Sequence, residues 1–241
     1  MNKLSMKFLI NELTEQGYLK TPRVIQAMKK IDRADFILPE FEKSAYANVP
    51  LPIGERQTIS QPLTVAFMLE LLQPKSGDKT LDIGSGSGWT TALLTEIVGK
   101  KGRVFAIEIV PELCKFGIKN ISKYFTVELS PRASIARPGI QKKNSKFFLD
   151  YPVKPDNDKD VRIQLLCIDG SQGYPKEAPY DKILVSAAAD KIPTALKKQL
   201  KIKGRLVIPV RNSIRLVERL DKNNFREKEY YGFTFVPLLS K

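Results

Sequence analysis

Residues 81–88 read Leu-Asp-Ile-Gly-Ser-Gly-Ser-Gly, and no other stretch restricts the fold so tightly. A short apolar run from Lys79 ends in three alternating glycines and opens into a helix-compatible segment, Trp89-Thr90-Thr91-Ala92-Leu93-Leu94. Strand, tight turn and helix in that order make a nucleotide-cofactor cradle. Gly84, Gly86 and Gly88 let the main chain take dihedrals closed to other residues and let a ligand approach it closely. The first N–H groups of the following helix have no partner inside the helix. Dinucleotide sites read G-x-G-x-x-G. Here the glycines alternate, with Asp82 two residues upstream of the first.

That variant resembles motif I of the S-adenosylmethionine-dependent methyltransferases. A second carboxylate agrees with it. Arg103 to Glu108 is an apolar run ending in an acid, and in doubly wound folds an acid roughly 20 residues beyond the glycines accepts hydrogen bonds from ribose hydroxyls. Glu108 is therefore the candidate ribose ligand. The plain alternatives are an ordinary glycine turn and a solvated glutamate at a strand end.

Composition narrows the chemistry. With 42% hydrophobic and 27% charged residues, the 241-residue chain reads as one soluble globular domain. No apolar run approaches the roughly 18 residues of a membrane span. Phe8-Leu9-Ile10 is too short for a signal-peptide core, so a cytosolic location is expected. Cys114 falls in a helical segment and Cys167 in an apolar strand; both are expected as small core residues, not as a bridge. There is no histidine. Ser–His–Asp and Cys–His catalysis are excluded, and no metal site is expected. The net charge of +14 raises nucleic acid as a partner. Its lysines and arginines are scattered along the chain, however, so no specific nucleic-acid surface is expected.

Periodicity supplies the rest of the architecture. Lys3–Tyr18 and a segment capped by Thr21-Pro22 read as amphipathic helices, and Pro62 opens a third helix through Leu72. Residues 33–58 read as irregular. Strands are expected at 79–83, 103–108, 162–168, 182–187 and 204–210, alternating with helices at 88–98, 111–123 and 192–200. This predicts an α/β fold: a doubly wound, Rossmann-like and mostly parallel sheet. Ser213–Arg219 and Lys228–Leu238 add an antiparallel C-terminal edge. The whole chain reads as a single domain, with residues 1–75 as an N-terminal helical and substrate-loop region and 76–241 as the cofactor-binding core. The polar stretch 131–160 breaks the alternation and reads as a surface insertion.

Three further stretches resemble one family in particular. Pro50-Leu51-Pro52-Ile53-Gly54 leads into Gln57-Thr58-Ile59-Ser60-Gln61-Pro62. Ile168-Asp169-Gly170 precedes Ala178-Pro179-Tyr180-Asp181 and Ala187-Ala188-Ala189. Gly204 to Val210 and Phe235-Val236-Pro237-Leu238 close the chain. In this order they resemble the protein-L-isoaspartate O-methyltransferases, Thr-Ile-Ser-Gln-Pro being the most family-specific element.

The resemblance implies methyl transfer from S-adenosylmethionine to the free carboxylate of L-isoaspartyl residues in damaged proteins, starting repair through a succinimide. By position, Ser60 matches the active-site serine, with Thr58, Ile59 and Gln61 beside it. Asp82, Gly84, Ser85 and Gly86 match the cofactor loop, Glu108 the ribose acid, and Asp169-Gly170 the adenine-side turn. Val185, Ser186 and Ala187 would border methyl transfer. A monomer without membrane or nucleic-acid partners is expected. Ser60 has a second reading, as N-cap of the helix opened by Pro62. Asn48 stands where an aspartate is common, Arg56 where a small residue is frequent, and Arg211 and Ser240 where glycine is usual. The rival readings are an RNA methyltransferase of the same fold and a catalytically silent partner-binding protein.

Overall fold

The computed structural model describes residues 5–129 and 163–238. The insertion expected at 131–160 and the Ser240 departure lie outside them. Helices α1 (Met6–Glu15) and α2 (Pro22–Lys30) come first, followed by 3-10 turns at Arg33–Phe36 and Pro39–Ser44. A small antiparallel hairpin, β1 (Leu51–Gly54) and β2 (Gln57–Ile59), leads into α3 (Pro62–Leu72). The αβ core then runs β3 (Lys79–Ile83), α4 (Trp89–Val98), β4 (Arg103–Glu108), α5 (Pro111–Ile121), β5 (Val127–Leu129), β6 (Ile163–Cys167) and β7 (Tyr180–Val185). It ends with α6 (Thr194–Lys198), β8 (Leu200–Val210), β9 (Ser213–Arg219) and β10 (Phe225–Tyr231).

Eight strands form one sheet in the order β10-β9-β8-β7-β3-β4-β6-β5. It is parallel from β8 to β5 and antiparallel where β9 and β10 join, the last three strands lying side by side in chain order. From β3 the chain moves outward through β4 and later returns to β7 on the other side of β3. The order therefore reverses at β3, and ligands of open α/β sheets bind outside the carboxyl ends of the strands at such a point.

Alternation decides which side chains face which layer. Val104, Ala106, Leu184 and Val207 point toward α1–α5 and cluster with Leu13, Met28, Leu69 and Leu94. Phe105, Ile107, Ile183, Val185, Leu206 and Ile208 point the other way and cluster with Leu196 of α6. One cluster thus joins the N-terminal helices to the sheet, so the hairpin between them is carried on a packed base. Among the described residues no helix is long and apolar enough to cross a membrane.

Several expectations are corrected. Residues 33–58 hold two 3-10 turns and the hairpin, because pairing of Leu51 with Ile59 satisfies a backbone whose local sequence carries little strand signal. The helix expected at 192–200 spans only Thr194–Lys198, since Leu200 already pairs with Tyr180. The strand expected at 182–187 begins at Tyr180 and ends at Val185. The last strand is Phe225–Tyr231: its partner β9 starts at Ser213 opposite Tyr231, and Gly232 turns the chain at φ 92°. Cys114 and Cys167, expected as separate core thiols, are joined in a disulfide. Packing of α5 on β6 brings their Cα atoms to 6.0 Å across 53 residues of sequence, a proximity no local pattern encodes.

Candidate active site

The glycine loop hangs from β4 as much as from β3. The N–H groups of Gly84 and Ser85 both donate to the Ile107 carbonyl, at 2.8 and 3.0 Å. Gly86 donates to Glu108 Oε2 at 2.8 Å, while Glu108 Oε1 accepts from Ile109 and Val110 at 2.8 and 3.0 Å. Three of roughly four carboxylate lone-pair directions are thereby used, leaving acceptor capacity facing the cleft. Gly88 serves packing. A Cβ there would stand 2.6 Å from Ile121 Cγ1, so its absence lets α4 start against α5. At Gly170 a Cβ would stand 2.7 Å from Ile83 Cγ2, so only glycine lets that turn close over the ends of β3 and β4.

Asp82 is fully buried behind this loop. Its Oδ2 accepts from the hydroxyls of Thr91 (2.6 Å) and Thr90 (3.1 Å), fastening the first turn of α4 to β3. Burial pushes its carboxyl up to about 6, against the two hydroxyl bonds that pull it down. Its Oδ1 has no partner, nor do the buried Ser85 Oγ and Trp89 Nε1. Ser85 and Trp89 belong to the wall of the cleft in front of this loop, so two of these unpartnered polar atoms stand where a polar ligand would meet them.

The facing wall comes from β2 and the start of α3. Ser60 does not cap that helix. Gln61 is the N-cap residue and makes no side-chain cap bond, and Asn48 Oδ1 instead accepts the Leu63 N–H at 2.9 Å. The Ser60 carbonyl is held by Arg33 Nη2 at 3.2 Å. Across the opening, the C-terminal segment bonds to the chain beyond β7: Ala188 N–H to the Val236 carbonyl at 2.8 Å, and Leu238 N–H to the Ala188 carbonyl at 2.7 Å.

Between these walls lies a cleft of about 750 Å³, open solvent at its mouth included. It brings together Thr58, Ile59, Ser60, Gly84, Ser85, Gly86, Glu108, Gly170, Ser186 and Ala187. Four other positions singled out in the sequence stand behind its lining. Gln61 begins α3; the Val185 side chain is in the core with Ile183; Asp82 fastens α4; and Asp169 Oδ1 accepts the Ser171 N–H at 2.8 Å within its own turn. Sequence reasoning gave no site role to Ile53, Trp89, Val236 or Pro237, which also line the cleft. Val236 and Pro237 lie in a stretch quoted for the family resemblance; Trp89 carried no signal beyond following Gly88. Glu108 is the cleft's only ionisable lining side chain among the described residues.

A family model described as Protein-L-isoaspartate(D-aspartate) O-methyltransferase matches residues 4–241. The chain belongs to the protein-L-isoaspartate O-methyltransferase family. It is 36% identical over 237 residues to the protein-L-isoaspartate O-methyltransferase of Methanopyrus kandleri, covering 97% of this chain and 90% of that one. With protein-L-isoaspartate O-methyltransferase 2 of Archaeoglobus fulgidus it shares 40% over 219 residues, covering 90% and 84%. A crystal structure of the Plasmodium falciparum family member in complex with S-adenosyl-L-homocysteine superposes with a TM-score of 0.75 over 99% of both chains. At 22% identity that match speaks to the fold alone.

The departures from the protein-L-isoaspartate O-methyltransferase pattern have structural correlates. Asn48 is the α3 cap. Glu55 and Arg56 form the β1–β2 turn at φ 50° and 56°, and Arg211 forms the β8–β9 turn at φ 52°. Each left-handed non-glycine position costs about 1–2 kcal/mol.

Proposed function

We infer that the chain transfers a methyl group from S-adenosylmethionine to the free carboxylate of L-isoaspartyl residues in damaged proteins, starting their repair through a succinimide. The observation that carries this reading is the lining of the cleft, which among the described residues holds no ionisable side chain other than Glu108. Glu108 is already engaged by three backbone N–H groups. An isoaspartyl carboxylate is of the α-carboxyl type, with a pKa of about 3.5, and arrives ionised. It needs no base.

The residues present suit the cofactor. Gly84 and Gly86 offer backbone carbonyls and Ser85 its unpartnered hydroxyl to its polar end, Glu108 accepts from the ribose hydroxyls, and Ile109, Leu113 and Gly170 border the adenine side. When bound, S-adenosylmethionine supplies a methyl group already electrophilic on a positively charged sulfur. The protein's part is to position and to dehydrate. Ser60 orients the acceptor carboxylate through its hydroxyl, while Thr58 and Ile59 border the acceptor peptide. Val236 and Pro237 exclude water, and Ser186 and Ala187 confine the space where the two ligands meet. Positioning alone can supply several powers of ten in rate. Asp82, Gln61, Val185 and Asp169 support this arrangement from behind.

The same reading makes the protein a single-domain, cytoplasmic monomer acting on damaged proteins, without a dedicated nucleic-acid or membrane surface. Its scattered basic residues support the lack of a dedicated nucleic-acid surface. The test is methyl transfer from labelled S-adenosylmethionine to an isoaspartyl peptide, with the aspartyl peptide and RNA as controls. Label in the isoaspartyl peptide alone is expected. Equal labelling of both peptides, or label in RNA only, would reject the assignment.

A further inference from the structure

Arg33 is fully buried, yet no carboxylate pairs with it among the described residues. Its guanidinium is spent on backbone instead. Nη1 donates to the carbonyls of Ala45 (2.7 Å) and Ala47 (3.4 Å), and Nη2 to those of Val49 (2.9 Å) and Ser60 (3.2 Å). The planar group also lies 5.5 Å from the centroid of the Trp89 ring. Trp89 lines the cleft and is the first residue of α4, the helix launched by the glycine loop. One side chain therefore touches both walls, the segment ending in Ser60 and the root of the cofactor helix. A buried cation held only by carbonyl dipoles and an aromatic face is costly, and burial lowers its pKa to about 10. The fork geometry of arginine is what reaches four carbonyls at once; the ammonium of lysine is a point with three donors.

We propose that Arg33 is a positioning residue for methyl transfer, fixing Ser60 relative to Trp89 and hence the acceptor relative to the cofactor. This rests on the function proposed above. An in-line displacement is sensitive to such alignment, and a misplacement of about 1 Å costs on the order of 100-fold in rate. The hydrophobic cluster around Met28 and Leu69 remains to hold the fold when the fork is changed.

The test compares wild type, R33K, S60A and the R33K/S60A double variant, with Arg33→Gln as a second probe of the fork. For R33K we expect kcat/KM toward an isoaspartyl peptide to fall about 100-fold. The calorimetric Kd for S-adenosylhomocysteine should stay within about threefold of wild type, and the added effect of S60A should shrink well below its effect in wild type. Activity of R33K and R33Q within about threefold of wild type overturns the proposal. So does cofactor affinity falling in step with activity, or full additivity with S60A. Failure of both Arg33 variants to fold would assign the residue to the scaffold and also overturn it. Wild type inactive on the isoaspartyl peptide would instead be a failure of the proposed function, a separate result.

Discussion

The Gly86 N–H donates to Glu108 Oε2 at 2.8 Å, so the carboxylate at the end of β4 holds the glycine loop that follows β3. One side chain thus shapes the cradle and lines the cleft. Glu108→Gln tests both roles. An amide can present one oxygen to Ile109 and Val110, but its NH2 then confronts the Gly86 N–H, donor to donor. The expected outcome is S-adenosylhomocysteine affinity weakened roughly 10- to 100-fold by calorimetry, as for loss of a charged hydrogen-bonding group. Unchanged affinity would remove Glu108 from the cofactor site.

Asp82 predicts an unusual pH response. Its carboxyl is raised from 3.8 to about 6, chiefly by burial. The folded state then binds the proton more tightly than the unfolded chain, and rising pH between about 4 and 6 removes stability. By pH 7.5 this one group costs on the order of 3 kcal/mol. Asp82→Asn keeps an oxygen for Thr91 and loses the charge. Without cofactor, the variant should melt several degrees above wild type at pH 7.5, and the gap should close toward pH 4. A variant less stable than wild type at pH 7.5 would show that the ionised carboxylate is compensated within the fold.

The β1–β2 turn carries removable strain. Glu55 and Arg56 both sit in the left-handed region, where Asn-Gly is the favoured two-residue turn. The double substitution E55N/R56G should raise stability by about 1–2 kcal/mol, read as roughly 3–6 °C in a melting curve. A lower melting temperature would mean that the charged side chains contribute more than the backbone loses.

The Cys114–Cys167 bridge ties α5 to β6 and closes a 53-residue separation. Opening it with a reductant should lower stability by about 2–4 kcal/mol. Thiol titration of the denatured protein should find both sulfurs blocked before reduction and reactive afterwards. Two free thiols in the unreduced protein would return both cysteines to the role of packed core residues.

Local chemistry made much of this fold legible. Pro22, Pro62 and Pro111 each stand at the first position of a helix, where the missing N–H costs nothing. Lys79–Ile83, Arg103–Glu108, Pro62–Leu72 and Ser213–Arg219 fall at their expected bounds, because strand alternation or helical spacing is read within a few neighbours. The glycine loop and Glu108 belong to the same class, a turn whose backbone needs are written in its own residues. By itself, then, the chain determined a parallel sheet with a ligand turn after β3, together with a reaction that cannot use histidine.

Tertiary structure decided what converges on that turn. Arg33 reads as one more charged residue near a helix end until four carbonyls from residues 45–60 surround it. Ser60 is released from capping only because Asn48 reaches Leu63 from the preceding segment. Val236 and Pro237 reach the cleft because Gly232 ends β10 and Ala188 bonds to the strand-like tail. Cys114 and Cys167 meet only when α5 lies on β6. Each of these depends on contacts between segments far apart in the chain. Propensity and periodicity act over a few residues, whereas a partner 12 to 53 positions away is chosen by packing of the whole molecule.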